Sequence, residues 1–103
     1  MGVGVGGIVL VHGGMCTSTC WDPVVGHLTM PVVAVDLHGR GSRPADLTMV
    51  TLDDCVQAII ESADEAGFDR FVLVGHSLGG ATITETAWQY PERVAQLIYV
   101  VLR

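Results

Sequence analysis

Gly75-His76-Ser77-Leu78-Gly79 sets two glycines two positions either side of a serine, the G-x-S-x-G spacing. An apolar run, Phe71 to Val74, comes before it and a helical pattern comes after it. A strand-to-helix turn this tight holds its central residue in a strained backbone conformation. Side chains two positions away would collide with the crossing helix and strand, so glycine is needed there. The hydroxyl of Ser77 would then stand above a sheet, at the positive end of the following helix. In a chain with 13 glycines the spacing alone means little. Its place between a strand and a helix gives it chemical content: Ser77 reads as a nucleophile for acyl transfer.

A serine nucleophile needs a base to take its proton and a partner to orient that base. The sequence offers neither in the usual order. His12, His27, His38 and His76 all precede Ser77, and the 26 residues after it contain no histidine. Glu85 and Glu92 are the later acids. His76 adjoins the serine, but the sharp turn aims its side chain away from the hydroxyl. Asp36 reads as a brace for the glycine loop that follows it. Residues 2–7, Gly-Val-Gly-Val-Gly-Gly, match G-x-G-x-x-G in form but precede an apolar run instead of following a strand. A dinucleotide loop is therefore not expected, and residues 1–7 read as a flexible lead-in.

The elements that would position these residues alternate. Ile8-Val9-Leu10-Val11 is a continuously apolar, β-branched strand, covered on both faces. His12-Gly13-Gly14 and a polar loop lead to Asp22-Pro23, which opens a short helix ending near Leu28. Val32 to Val35 is a second buried strand, closing on Asp36 before the loop Leu37 to Pro44. Thr51 caps a helix, with Asp54 in capping-box position, and Leu52, Val56, Ile59 and Ala63 make its apolar face. Gly67 stops it. The third strand, Phe71 to Val74, leads into the turn at Ser77. The next helix runs through Thr82, Thr86 and Trp88 to Tyr90, where Pro91 ends it. Trp21 and Trp88 read as core. Leu97 to Leu102 is a fourth strand. This alternation predicts an α/β fold: a parallel sheet of about four strands with helices on both faces, formed by residues 1–103 as one domain.

Composition narrows the partners. Half of the 103 residues are hydrophobic, enough for a packed core, and the net charge is −6 with no lysine. No nucleic acid and no anionic membrane surface is expected as a partner. No run approaches the about eighteen apolar residues of a membrane span, and the basic region of a secretory signal is missing. Cys16, Cys20 and Cys55 are an odd set without metal-ligand spacing, which fits reduced thiols and a cytoplasmic location. No metal and no organic cofactor is implied.

Three motifs in order (His12-Gly13-Gly14, Asp36-Leu37-His38-Gly39-Arg40-Gly41 and Gly75-His76-Ser77-Leu78-Gly79-Gly80) resemble the α/β-hydrolase superfamily, as does Tyr90-Pro91-Glu92-Arg93-Val94 before a strand. Trp21 is similar to a residue of the branch that holds methyl-ester esterases and hydroxynitrile lyases. The resemblance covers residues 8–102, the N-terminal half of that fold. It implies Ser77 as nucleophile and the backbone N–H groups of Gly14 and Leu78 as oxyanion hole, supported by His12, Gly13, Asp36, Gly75, His76 and Gly79. The lyases carry threonine where this chain has Gly13, which favours a small ester substrate over a cyanohydrin. In that superfamily the acid and histidine come after the serine, so here they would lie outside these residues. Strand 97–102 would then be an open edge, closed by self-association or by a complementing C-terminal half. The alternative is a scaffold or binding fragment that keeps the turn without using it.

Overall fold

The computed structural model describes residues 4–12, 18–36, 51–76 and 79–100. Four strands form one parallel sheet: β1 (Gly7–Val11), β2 (Val32–Val35), β3 (Phe71–His76) and β4 (Val94–Val100). They lie in the order β2-β1-β3-β4. Between them run α1 (Asp22–Val25), entered through a 3-10 turn at Ser18–Trp21, then α2 (Leu52–Glu65) and α3 (Gly79–Gln89).

The register decides the two faces. Val9 pairs with Val33 and Leu73, and Val11 with Val35 and Gly75. This row faces the two longer helices: Val9, Val11 and Leu73 share one buried cluster with Ile59 and Ala63 of α2 and Ile83 of α3. The alternate row, through Leu10, Val74 and Ile98, points to the opposite face. Trp21, at the end of the 3-10 turn, packs on His76 on that side.

α2 forms where the sequence predicts it. Thr51 Oγ1 accepts from Asp54 N–H at 3.1 Å, and Asp54 Oδ2 accepts from Thr51 N–H at 3.0 Å, a reciprocal capping box. Gly67 ends the turn beyond it at φ +78°, a left-handed conformation that glycine adopts at little cost. Val56, Ile59 and Ala63 are fully buried as expected, and Ala58 and Ile60 join them. Leu52 does not: on the first turn of the helix it reaches past the core and is exposed.

Boundaries shift at β1, α1 and β4, and β3 runs on to His76, two residues past the expected Val74. β1 starts at Gly7, one residue before the expected Ile8, so Gly7 belongs to the sheet and not to the expected lead-in over residues 1–7. Gly6 N–H donates to the Arg70 carbonyl at 2.7 Å, Gly7 pairs with Phe71, and the Phe68 ring fills the space a side chain on Gly7 would need. The helix after Asp22 is one turn long and ends at Val25, short of Leu28. β4 begins at Val94, three residues before the expected Leu97, because Phe71 already pairs with Val94 across an irregular step at Phe71/Val72. Residues 101 and 102 of the expected strand lie outside the described residues. Among those described, β4 is an edge strand carrying the exposed side chains Ile98 and Tyr99.

Trp88 overturns the expectation of a second core tryptophan, being 82 % exposed. The buried positions of α3 are Gly79, Thr82, Ile83 and Thr86, which leaves Trp88 on the outward side. Thr86 Oγ1 donates to the Thr82 carbonyl at 2.8 Å, so its hydroxyl is satisfied within the helix and the residue can be buried.

Candidate functional site

Strand order locates the site before any side chain is considered. β1 connects onward to β2 on one side, whereas its neighbour β3 connects to β4 on the other. In an open parallel sheet, ligands bind beyond the carboxyl ends of the strands at such a reversal. The residues leaving β1 and β3 there are His12 and His76, with Asp36 leaving β2 alongside.

The two glycines around Ser77 have no space for a side chain. A Cβ on Gly75 would stand 2.8 Å from the Gly79 carbonyl oxygen and 2.8 Å from Ile83 Cδ1. On Gly79 it would stand 2.7 Å from the Val11 oxygen and 2.8 Å from the His12 oxygen. The first turn of α3 is therefore pressed onto the ends of both β1 and β3. At Gly80 the nearest atoms belong to the Tyr99 ring, at 3.2 Å, and Tyr99 OH shares a 2.5 Å hydrogen bond with Thr84 Oγ1.

His12 is fully buried directly after β1. Asp36 Oδ1 accepts from Ser18 N–H at 2.7 Å. Ser18 opens the 3-10 turn, where N–H groups have no partner within the turn, and a carboxylate is a strong acceptor for one of them. Asp36 thus ties the end of β2 to the segment after β1, a longer-range brace than the loop following it. His76 closes β3 facing away from α3, because Gly75 faces it. Its ring meets Trp21 edge-on, with centroids 6.2 Å apart at 86°. Ser77, expected as nucleophile, Gly14 and Leu78, expected as oxyanion hole, and Gly13, expected to support them, lie outside the described residues, as do His38, Arg40, Arg43 and Cys16. His27 is exposed in the turn after α1, and Glu92 is exposed in the turn before β4. Glu85 Oε1 accepts from Gln89 Nε2 on α3.

Two contributors were not anticipated from sequence. Trp21, expected as core, buttresses the residue before Ser77. Arg93 donates to the Asp69 carbonyl, to the Phe68 carbonyl at 2.8 Å and to Asp64 Oδ1 at 2.7 Å, with its guanidinium 5.6 Å from the Phe71 ring centre. It fastens the start of β4 to the turn before β3. No local pattern signals either contact, since each joins segments far apart in the chain. Among the described residues no group of His, Cys, Asp or Glu could hold a metal ion, and no helix is long and apolar enough to cross a membrane.

A parallel sheet with a glycine-framed strand-to-helix turn at its reversal point defines a hydrolase-type α/β scaffold. The chain belongs to the alpha/beta hydrolase family, which it matches over residues 8–102. It is 34 % identical over 97 residues to a putative chloroplastic methylesterase 14 of Arabidopsis thaliana, covering 89 % of this chain and 28 % of that protein. It is 35 % identical over 99 residues to a pyrethroid hydrolase of Sphingobium wenxiniae, covering 90 % of this chain and 34 % of the relative. A marine microorganism esterase superposes with a TM-score of 0.82 at 21 % identity, over 95 % of this chain and 38 % of that one, which shows the shared fold. The chain thus spans about a third of the length of these proteins and corresponds to the N-terminal portion of the fold.

Proposed function

We propose that these residues supply the nucleophile and oxyanion hole of an esterase-like serine hydrolase acting on small carboxylic esters. The observation that carries the reading is the contact of the α3 start with the Val11 and His12 carbonyl oxygens at Gly79. It packs the segment holding Ser77 against the segment that leads to Gly13 and Gly14. The methylesterase and pyrethroid hydrolase names of two relatives support an ester substrate.

In this reading Ser77 Oγ attacks the ester carbonyl carbon while its proton passes to a histidine. The negative charge formed on the carbonyl oxygen is met by the N–H groups of Gly14 and Leu78. Each such donor is worth about 10²–10³ in turnover. Collapse of the intermediate breaks the bond to the alkoxy oxygen, which leaves as the alcohol after taking the proton back. Water then hydrolyses the acyl-serine. His76 faces Trp21 and is not assigned as the base. The histidine and its acid come from outside these 103 residues, on a segment that adds to β4 at the Ile98–Tyr99 edge. The second reading is a non-catalytic scaffold that keeps the turn without using it.

The test is complementation. The chain is mixed with the C-terminal portion of the pyrethroid hydrolase relative, and hydrolysis of a p-nitrophenyl ester is followed. Turnover that needs both pieces and disappears with Ser77→Ala is expected. Turnover that survives Ser77→Ala would overturn the assignment, and a folded, stable assembly with no turnover would favour the scaffold.

A further inference from the structure

Two buried side-chain polar atoms lack a hydrogen-bond partner among the described residues, Trp21 Nε1 and His76 Nε2. They belong to rings in mutual contact, 6.2 Å between centroids and near perpendicular. Buried polar atoms are paired in the great majority of cases, with protein or with ordered water. The chemistry of the two is complementary. The indole nitrogen is a donor only, whereas a neutral imidazole accepts at one of its two nitrogens.

We infer that a single water molecule beside this ring contact bridges the two nitrogens, accepting from Trp21 Nε1–H and donating to His76 Nε2. A buried donor and a buried acceptor on rings in contact supply two of the two to four polar partners that hold an internal water. An apolar occupant would leave both atoms unsatisfied. The bridge places the imidazole proton on Nδ1, since Nε2 is the acceptor, and so selects one of two tautomers. Trp21 is then a positioning residue for His76, linking the 3-10 turn after β1 to the last residue of β3, which is bonded directly to Ser77. This goes beyond the esterase reading and holds whether or not Ser77 reacts.

The test uses the 15N-labelled 103-residue chain carrying Trp88→Phe, so that Trp21 gives the one indole signal. Trp88 is 82 % exposed, and replacing it leaves the buried contacts intact. With the imidazole neutral, the expected result is an unprotonated His76 Nε2 in long-range 1H–15N spectra. A cross-relaxation peak from Trp21 Hε1 to a long-lived water is expected with it. Adding Trp21→Phe, which keeps an aromatic ring but removes the donor, is expected to let both His76 tautomers appear. A protonated Nε2, or a Trp21 indole proton with no water cross-peak, would overturn the inference.

Discussion

Replacing Gly79 with alanine adds one methyl group at the point where α3 meets β1. That methyl would lie 2.7 Å from the Val11 oxygen, 2.8 Å from the His12 oxygen and 3.3 Å from the Val11 carbonyl carbon. All three are backbone atoms of a fully buried strand end, so no rotamer change relieves the contact. Overpacking of this kind costs about 1–3 kcal/mol, and rigid neighbours put this case near the top of that range. Alanine's better helix propensity returns up to about 1 kcal/mol, less in a first turn. The net expectation is a loss of about 2 kcal/mol, which lowers the melting temperature of a domain this size by roughly 10 °C. Gly80→Ala is the internal control. Its new methyl would meet only the Tyr99 ring at 3.2 Å, on a side chain more than half exposed and able to yield. Urea denaturation followed by circular dichroism measures both variants. Equal stability of the two, or a Gly79→Ala chain as stable as the parent, would refute the claim that backbone contact fixes the α3 start.

Other substitutions probe the braces around the same sheet ends. Asp36→Ala removes the carboxylate that accepts from Ser18 N–H and should cost about 1.5–3 kcal/mol. Asp36→Asn keeps an acceptor oxygen and should lose less in the same denaturation assay. Arg93→Ala should cost about 2 kcal/mol, because two backbone carbonyls lose a charged donor. Asp64→Asn should change stability by under about 0.5 kcal/mol, since its side chain is 60 % exposed and screened by water. A larger effect of Asp64→Asn than of Arg93→Ala would contradict that ranking. Trp88→Ser should leave stability within about 0.5 kcal/mol of the parent, as for surface positions in general, while removing the emission of the exposed tryptophan.

Local signals carried most of the fold. Thr51 and Asp54 sit three residues apart and cap each other, and Gly67 takes the left-handed turn its position predicted. The apolar runs at Ile8, Val32 and Phe71 became three neighbouring parallel strands, as alternation with helices implied. Local pattern also misleads at two positions. Trp88 looked like core because it is large and apolar, but two threonines hold the inward positions of α3, one with its hydroxyl satisfied by the helix backbone. Leu52 fitted the helical period and yet lies on the first turn, beyond the core's edge. Around the site, the glycine spacing was legible because its cause is local crowding. The bond from Ser18 to Asp36, the edge contact of Trp21 with His76 and the Arg93 clamp span 18 to 55 residues of sequence. Contacts at that separation follow from the sheet order, which no local pattern encodes.

In the proposed function Ser77 is a nucleophile framed by this chain and activated from outside it. Incubation with a fluorophosphonate followed by intact mass and peptide mapping tests it most directly. The chain alone and the chain complemented by a histidine-bearing C-terminal portion are compared, each with its Ser77→Ala control. One adduct is expected, on Ser77, that forms readily only in the complemented sample and is lost in the variant. Rapid stoichiometric labelling of the isolated chain would place the base within these residues, and an adduct that persists in Ser77→Ala would remove Ser77 from the chemistry.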